Sequence, residues 1–69
     1  MIYTVYGDYA TESENILFSS KYLFEAIDFV KGYIRWGDMG GYEVIEVISL
    51  DEMGVEMVEA NWFAESVYA

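Results

Sequence analysis

Apolar residues recur along this chain with two different periods, and the switch between them divides it into elements. Residues 2–6, IYTVY, are β-branched and aromatic and run into Gly7-Asp8, a turn signal, so they predict a strand. The polar stretch YATESEN then gives way to ILFS. This predicts a short second strand over 15–19 and a first hairpin closed by a loose acidic loop. After Ser20 the period lengthens: Leu23, Ala26, Ile27, Val30 and Ile34 lie three and four residues apart. That spacing predicts an amphipathic helix over 21–36 with Ser20 as its N-cap. Gly32, inside it, costs about 1 kcal/mol relative to alanine, and is expected to let the helix pack closely on a sheet. Glu25 near the start and Lys31 and Arg35 near the end suit the helix dipole, so these cations are explained by helix chemistry. GDMGG follows, with Gly37, Gly40 and Gly41 available for a C-cap and a turn.

Residues 42–50 and 55–63 read as a second hairpin with DEMG at the bend and Gly54 where a left-handed residue is wanted. The tail AESVYA is expected to extend the last strand or to pack an aromatic over an edge. The order β-β-α-β-β implies an α+β fold in one domain over 1–69: a mostly antiparallel four-stranded sheet with one helix packed on one face.

The glutamates of this hairpin break the alternation, because Glu43 and Glu46 must point to opposite faces, as must Glu56 and Glu59. Two registers are open. A four-residue loop sets Leu50 opposite Val55, Ile48 opposite Met57, and Glu46 opposite Glu59, a like-charge pair. It makes Ile45, Val47, Val58, Ala60 and Trp62 the helix-packed core and puts Tyr42, Val44, Ile48, Leu50, Val55 and Met57 on the outer face, with Glu43 and Glu56 near strand ends. A three-residue loop with a G1 bulge at Gly54 shifts the last strand by one and sets Glu46 opposite Ala60. Either register leaves more apolar surface than one helix covers, to be met by loops, the tail, a second copy or a partner.

Composition narrows the chemistry. At 69 residues the chain buries only about 60% of its unfolded surface, and a content of 55% hydrophobic and 19% aromatic residues excludes an acidic disordered tail. With neither cysteine nor histidine, disulfides, Cys/His zinc sites and Cys- or His-based catalysis are excluded. Ser13, Ser19, Ser20, Ser49 and Ser66 lack a histidine base and a G-x-S-x-G elbow, so no enzyme is expected. GDMGG lacks the lysine and following helix of a phosphate loop, and GDYATESE lacks the calcium-loop pattern. No cofactor or metal is expected. Without a basic N-terminal region or a long apolar run, neither export nor a membrane span is expected, and a cytoplasmic location follows.

Charge changes the picture most. Thirteen acids against three bases give a net charge of −10, which disfavours nucleic acid and membrane as direct partners and favours a cationic protein. Tyr3, Tyr6 and Phe18 could stack bases only beside a positive groove, which these charges do not supply. The candidate contact residues are Asp8, Glu12 and Glu14 in the first loop, Glu25 and Asp28 on the helix, Asp38 after it, and Glu43, Glu46, Asp51, Glu52, Glu56 and Glu59 around the hairpin, with Glu65 beyond. Duplex DNA carries one charge per about 1.7 Å of axis, and an acidic folded surface can imitate that field. In its small size, its freedom from Cys, His and Pro, and its clustered acids DYATESE and ISLDEMGVEMVE, the chain resembles the small acidic DNA-mimic and host-takeover proteins of bacteriophages, among them the Bacillus phage type that inhibits the HU-type histone-like protein. The resemblance implies a homodimer that binds a basic DNA-binding host protein and blocks its DNA binding in the host cytoplasm. It carries no motif from which a functional residue follows.

Overall fold

A computed structural model of the chain describes residues 1–9, 15–34 and 39–64. It contains β1 (Ile2–Gly7), β2 (Asn15–Ser20), α1 (Leu23–Tyr33), β3 (Val44–Leu50) and β4 (Glu56–Phe63), the α+β layout that the periodicity predicts. All neighbouring strands are antiparallel, in the order β2-β1-β3-β4. β2 and β3 therefore run parallel on either side of β1, and a parallel pair needs a crossover, which α1 provides.

The two faces of the sheet follow from alternation along β1 and β3. Val5, Ile45 and Val47 turn toward the helix and are fully buried with Ala26, Val30 and Met39. Phe18 of β2 stacks on Phe29 of α1 with centroids 4.7 Å apart and planes 6° apart, and Phe29 in turn meets Tyr33 at 5.8 Å. Burying such side chains is worth about 1.5–3 kcal/mol each. The helix packs over β2 and β1 and reaches β3, while β4 lies outside its main footprint.

The helix is shorter than its hydrophobic pattern. Tyr22 occupies the N-cap position without a side-chain hydrogen bond. Ser20, expected as the cap, instead accepts the Tyr22 N–H at 3.1 Å and donates to the Glu25 carboxylate. At the other end Ile34 has extended backbone and closes the last turn through its N–H to the Val30 carbonyl at 2.8 Å. Gly32 is exposed, with open space where a Cβ would stand, so its expected role in close packing is not found. Met39, read from sequence as part of a turn, is a fully buried core residue. Gly40 and Gly41 hold φ of 64° and 88°, which lets the chain reverse directly after it.

Asp8 joins the ends of the two central strands. It has φ 54°, a conformation aspartate tolerates better than most residues. Its Oδ1 accepts the N–H groups of Glu43 and Val44, both at 3.0 Å, and its own N–H donates to the Val44 carbonyl at 2.8 Å. Asp8→Ala should therefore cost about 1–3 kcal/mol, whereas Asp8→Asn, which keeps an acceptor and tolerates the same φ, should cost less than half as much. Urea unfolding followed by far-UV circular dichroism measures both, and equal losses would show that the side-chain bonds are not what matters.

Candidate functional site

The hairpin of β3 and β4 carries the densest acidic stretch, and its register decides where those acids point. At the tip, the Asp51 carbonyl accepts the Gly54 N–H at 3.1 Å and the Asp51 N–H donates to the Val55 carbonyl at 3.1 Å, with Gly54 at φ 80°. This is the three-residue loop with a G1 bulge. The Asp51 carboxylate reinforces it, accepting from Met53 N–H at 2.8 Å and Val55 N–H at 2.9 Å. Leu50 pairs with Glu56, Ser49 with Met57 and Ile48 with Val58.

The register then shifts once more. Val47 pairs with Ala60 and Glu46 with Asn61, which leaves Glu59 as an extra residue in β4. The like-charge pair Glu46/Glu59 of the four-residue loop is thus not formed, and neither is the Glu46/Ala60 pair of the G1-bulge register. A bulge reverses the parity of all that follows it, so Val58 lies on the outer face and is exposed rather than in the expected core, while Ala60 and Trp62 do pack against the core. Met57 moves the other way, onto the helix side beside Ser49. Glu59 also leans to that side: its Oε1 accepts the Ser49 hydroxyl at 2.9 Å. Ser49 is 3% exposed and is the one buried polar residue among those described. Its partner accounts for an inward-facing serine and an unpaired glutamate together.

On the outer face the order Tyr6, Glu46, Asn61 crosses the sheet beside the order Thr4, Ile48, Val58. Ile48, expected to be exposed there, is only 5% exposed. Tyr9 approaches Tyr6 with centroids 4.6 Å apart and donates its hydroxyl to Glu56 Oε2 at 3.1 Å. Tyr9, Ile48, Glu56, Met57 and Val58 line a shallow depression. Around it Ile2, Leu50, Val58 and Phe63 stay exposed.

The sequence-predicted contact residues separate into groups. Asp8 and Asp51 serve backbone N–H groups, and Glu25 serves Ser20. Glu43, Glu52 and Asp28 are exposed, and Glu46 is half-buried. Glu12, Glu14, Asp38 and Glu65 lie outside the described residues. The structure brings Glu46 and Glu56 onto one sheet face and sets Glu59 on the other, with Glu43 and Glu52 at the two ends of the hairpin. The helix residues Glu25 and Asp28 belong to a different layer. Among the described residues, no three acids gather closely enough to hold a metal ion, and no helix is long and apolar enough to cross a membrane. Comparisons with protein-family models, with curated proteins and with solved structures give no match to this chain.

Deleting residues from β4 tests the bulge. Without Glu59, Val58 is followed directly by Ala60 and every other pair is kept, so unfolding free energy should change by less than about 1 kcal/mol. Without Ala60, Glu59 takes the place opposite Val47 and a carboxylate meets the core, at a cost of about 2–3 kcal/mol. Chemical denaturation of the two deletion variants should rank them in that order, and the reverse order would refute the register.

Proposed function

We propose that this chain is an acidic binding protein that occupies the DNA-binding surface of a basic nucleic-acid-binding protein and thereby blocks its access to DNA, in the manner of a phage host-takeover inhibitor. The supporting observation is the exposed carboxylate set Glu43, Glu52, Glu56 and Glu59 on a hairpin that the helix does not cover, in a chain of net charge −10. Charges arranged on a rigid sheet steer a cationic partner over long range and meet lysine and arginine positions that otherwise serve phosphates. No histidine, cysteine or clustered metal ligand competes with this reading.

A second reading has its own support. Ile2, Leu50, Val58 and Phe63 expose a band of apolar surface on the outer face, which suits an adaptor domain binding a non-basic partner or a second copy.

Affinity capture from a bacterial lysate at low and high salt distinguishes the two. For the DNA mimic, the retained proteins are basic nucleic-acid-binding proteins, released by salt and displaced by duplex DNA. Neutralising Glu43, Glu52 and Glu56 together as glutamines should weaken that retention by about tenfold or more, while Val58→Asp leaves most of it. Retention that ignores salt and the glutamine variant but disappears in Val58→Asp would replace this function with the adaptor reading.

A further inference from the structure

β4 ends the sheet, and among the described residues no strand pairs with its far side. The hydrogen bonds from Asp51 N–H to the Val55 carbonyl and from Ala64 N–H to the Glu43 carbonyl bracket the strand. Antiparallel ladders alternate between residues that bond inward to their neighbour and residues that direct both backbone groups outward. Counting in from the two brackets, Glu56 and Val58 at the tip end and Phe63 and Asn61 at the base end direct N–H and C=O away from β3. An edge eight residues long is an open template for another strand. Natural edges of this kind are usually shielded by lysine, proline or a covering segment. Here its only charges are Glu56 and Glu59.

Those two carboxylates straddle the edge. Glu56 stands on the outer face with Leu50, whereas the bulge turns Glu59 toward the helix side, where it meets Ser49. An incoming strand alternates its side chains between the same two faces. It therefore meets a carboxylate on each, and exposed apolar surface at Met57, Val58 and Phe63 between and beyond them.

We propose that β4 accepts an extended cationic segment of a partner protein as a fifth strand, with basic side chains of opposite parity over Glu56 and Glu59 and apolar side chains on Val58, Met57 and Phe63. This deepens the acidic-ligand reading and rests on it, adding the place of contact and the backbone mode of recognition. A second copy of the chain fits the edge less well, because it brings a further charge of −10 and its own pair of glutamates to the same strand.

The test uses a blocked peptide of valine and threonine, matching β4 in length, with lysine and arginine three positions apart. Its control is the same peptide N-methylated on alternate amides, equal in charge but unable to join a sheet. The first should slow amide hydrogen exchange at Glu56, Val58, Asn61 and Phe63 by about tenfold, and the control should bind about tenfold more weakly. Asn61→Pro, which removes an outward N–H and leaves the bonds to β3 in place, should lose peptide binding while its circular dichroism is unchanged. Equal binding of the two peptides with no protection at those amides would overturn the strand-addition proposal and leave the acidic-ligand reading standing. Failure of any cationic peptide or basic protein to bind would overturn both. Protection at the same amides in the free protein, together with a dimer in sedimentation, would assign the edge to a second copy and overturn the proposal.

Discussion

One helix cannot cover four strands. Eleven residues make a helix about 16 Å long and roughly 10 Å across, whereas strands lie about 4.8 Å apart, so α1 spans the breadth of three strands at most. It is centred on β1, which contributes the fully buried Val5, and its aromatic side falls on β2 through Phe18 and Phe29. The fourth strand is left outside. From that shortfall come the exposed Met57, the freedom of Glu59 to stand on the helix side without entering the core, and an edge whose backbone groups face outward.

The bulges in this sheet sit on the two strands that bound it. In β2 the pairing with β1 shifts between Val5 and Tyr6, leaving Leu17 as the extra residue, and Leu17 packs against the core. In β4 the extra residue is Glu59, which bonds to Ser49. The same backbone device thus delivers an apolar side chain inward on one edge and a carboxylate to the rim on the other. Much of the remaining acidity holds the molecule together, since Asp8 and Asp51 accept from backbone N–H groups that strand pairing leaves over. An acid count therefore overstates the number of carboxylates offered to a partner.

What was legible in the sequence is what depends on near neighbours. The β-branched runs, the Leu23-to-Ile34 stripe and the glycine at the hairpin tip each carry their signal within a few residues, and each element forms where that signal lies. Register beyond the tip was not legible, because the Glu59 bulge depends on Ser49, which sits across the ladder on β3. Val58 and Met57 exchanged faces as a result. Met39 was missed because its glycine neighbours mark a turn, while its burial is decided by the helix and sheet that the turn connects. The burial of Ile48 was missed for a similar reason: its cover, Tyr9, belongs to the first hairpin and reaches β4 through Glu56. The acids of the candidate site were legible as residues, but their division into structural and exposed groups was not.

The strand order has a consequence for how the molecule is made. β1 is the first strand to leave the ribosome, yet one whole side of it pairs with β3, from Ile2 against Leu50 to Gly7 against Ile45. Until that distant segment emerges, β1 and β2 form a lone hairpin, which is marginal in water. The central pairing closes a long loop, and contacts so far apart in sequence slow folding relative to local ones. Synthesis therefore holds the aromatic and β-branched residues of β1 in waiting until the chain is nearly complete, and the protein gains its core in one late step.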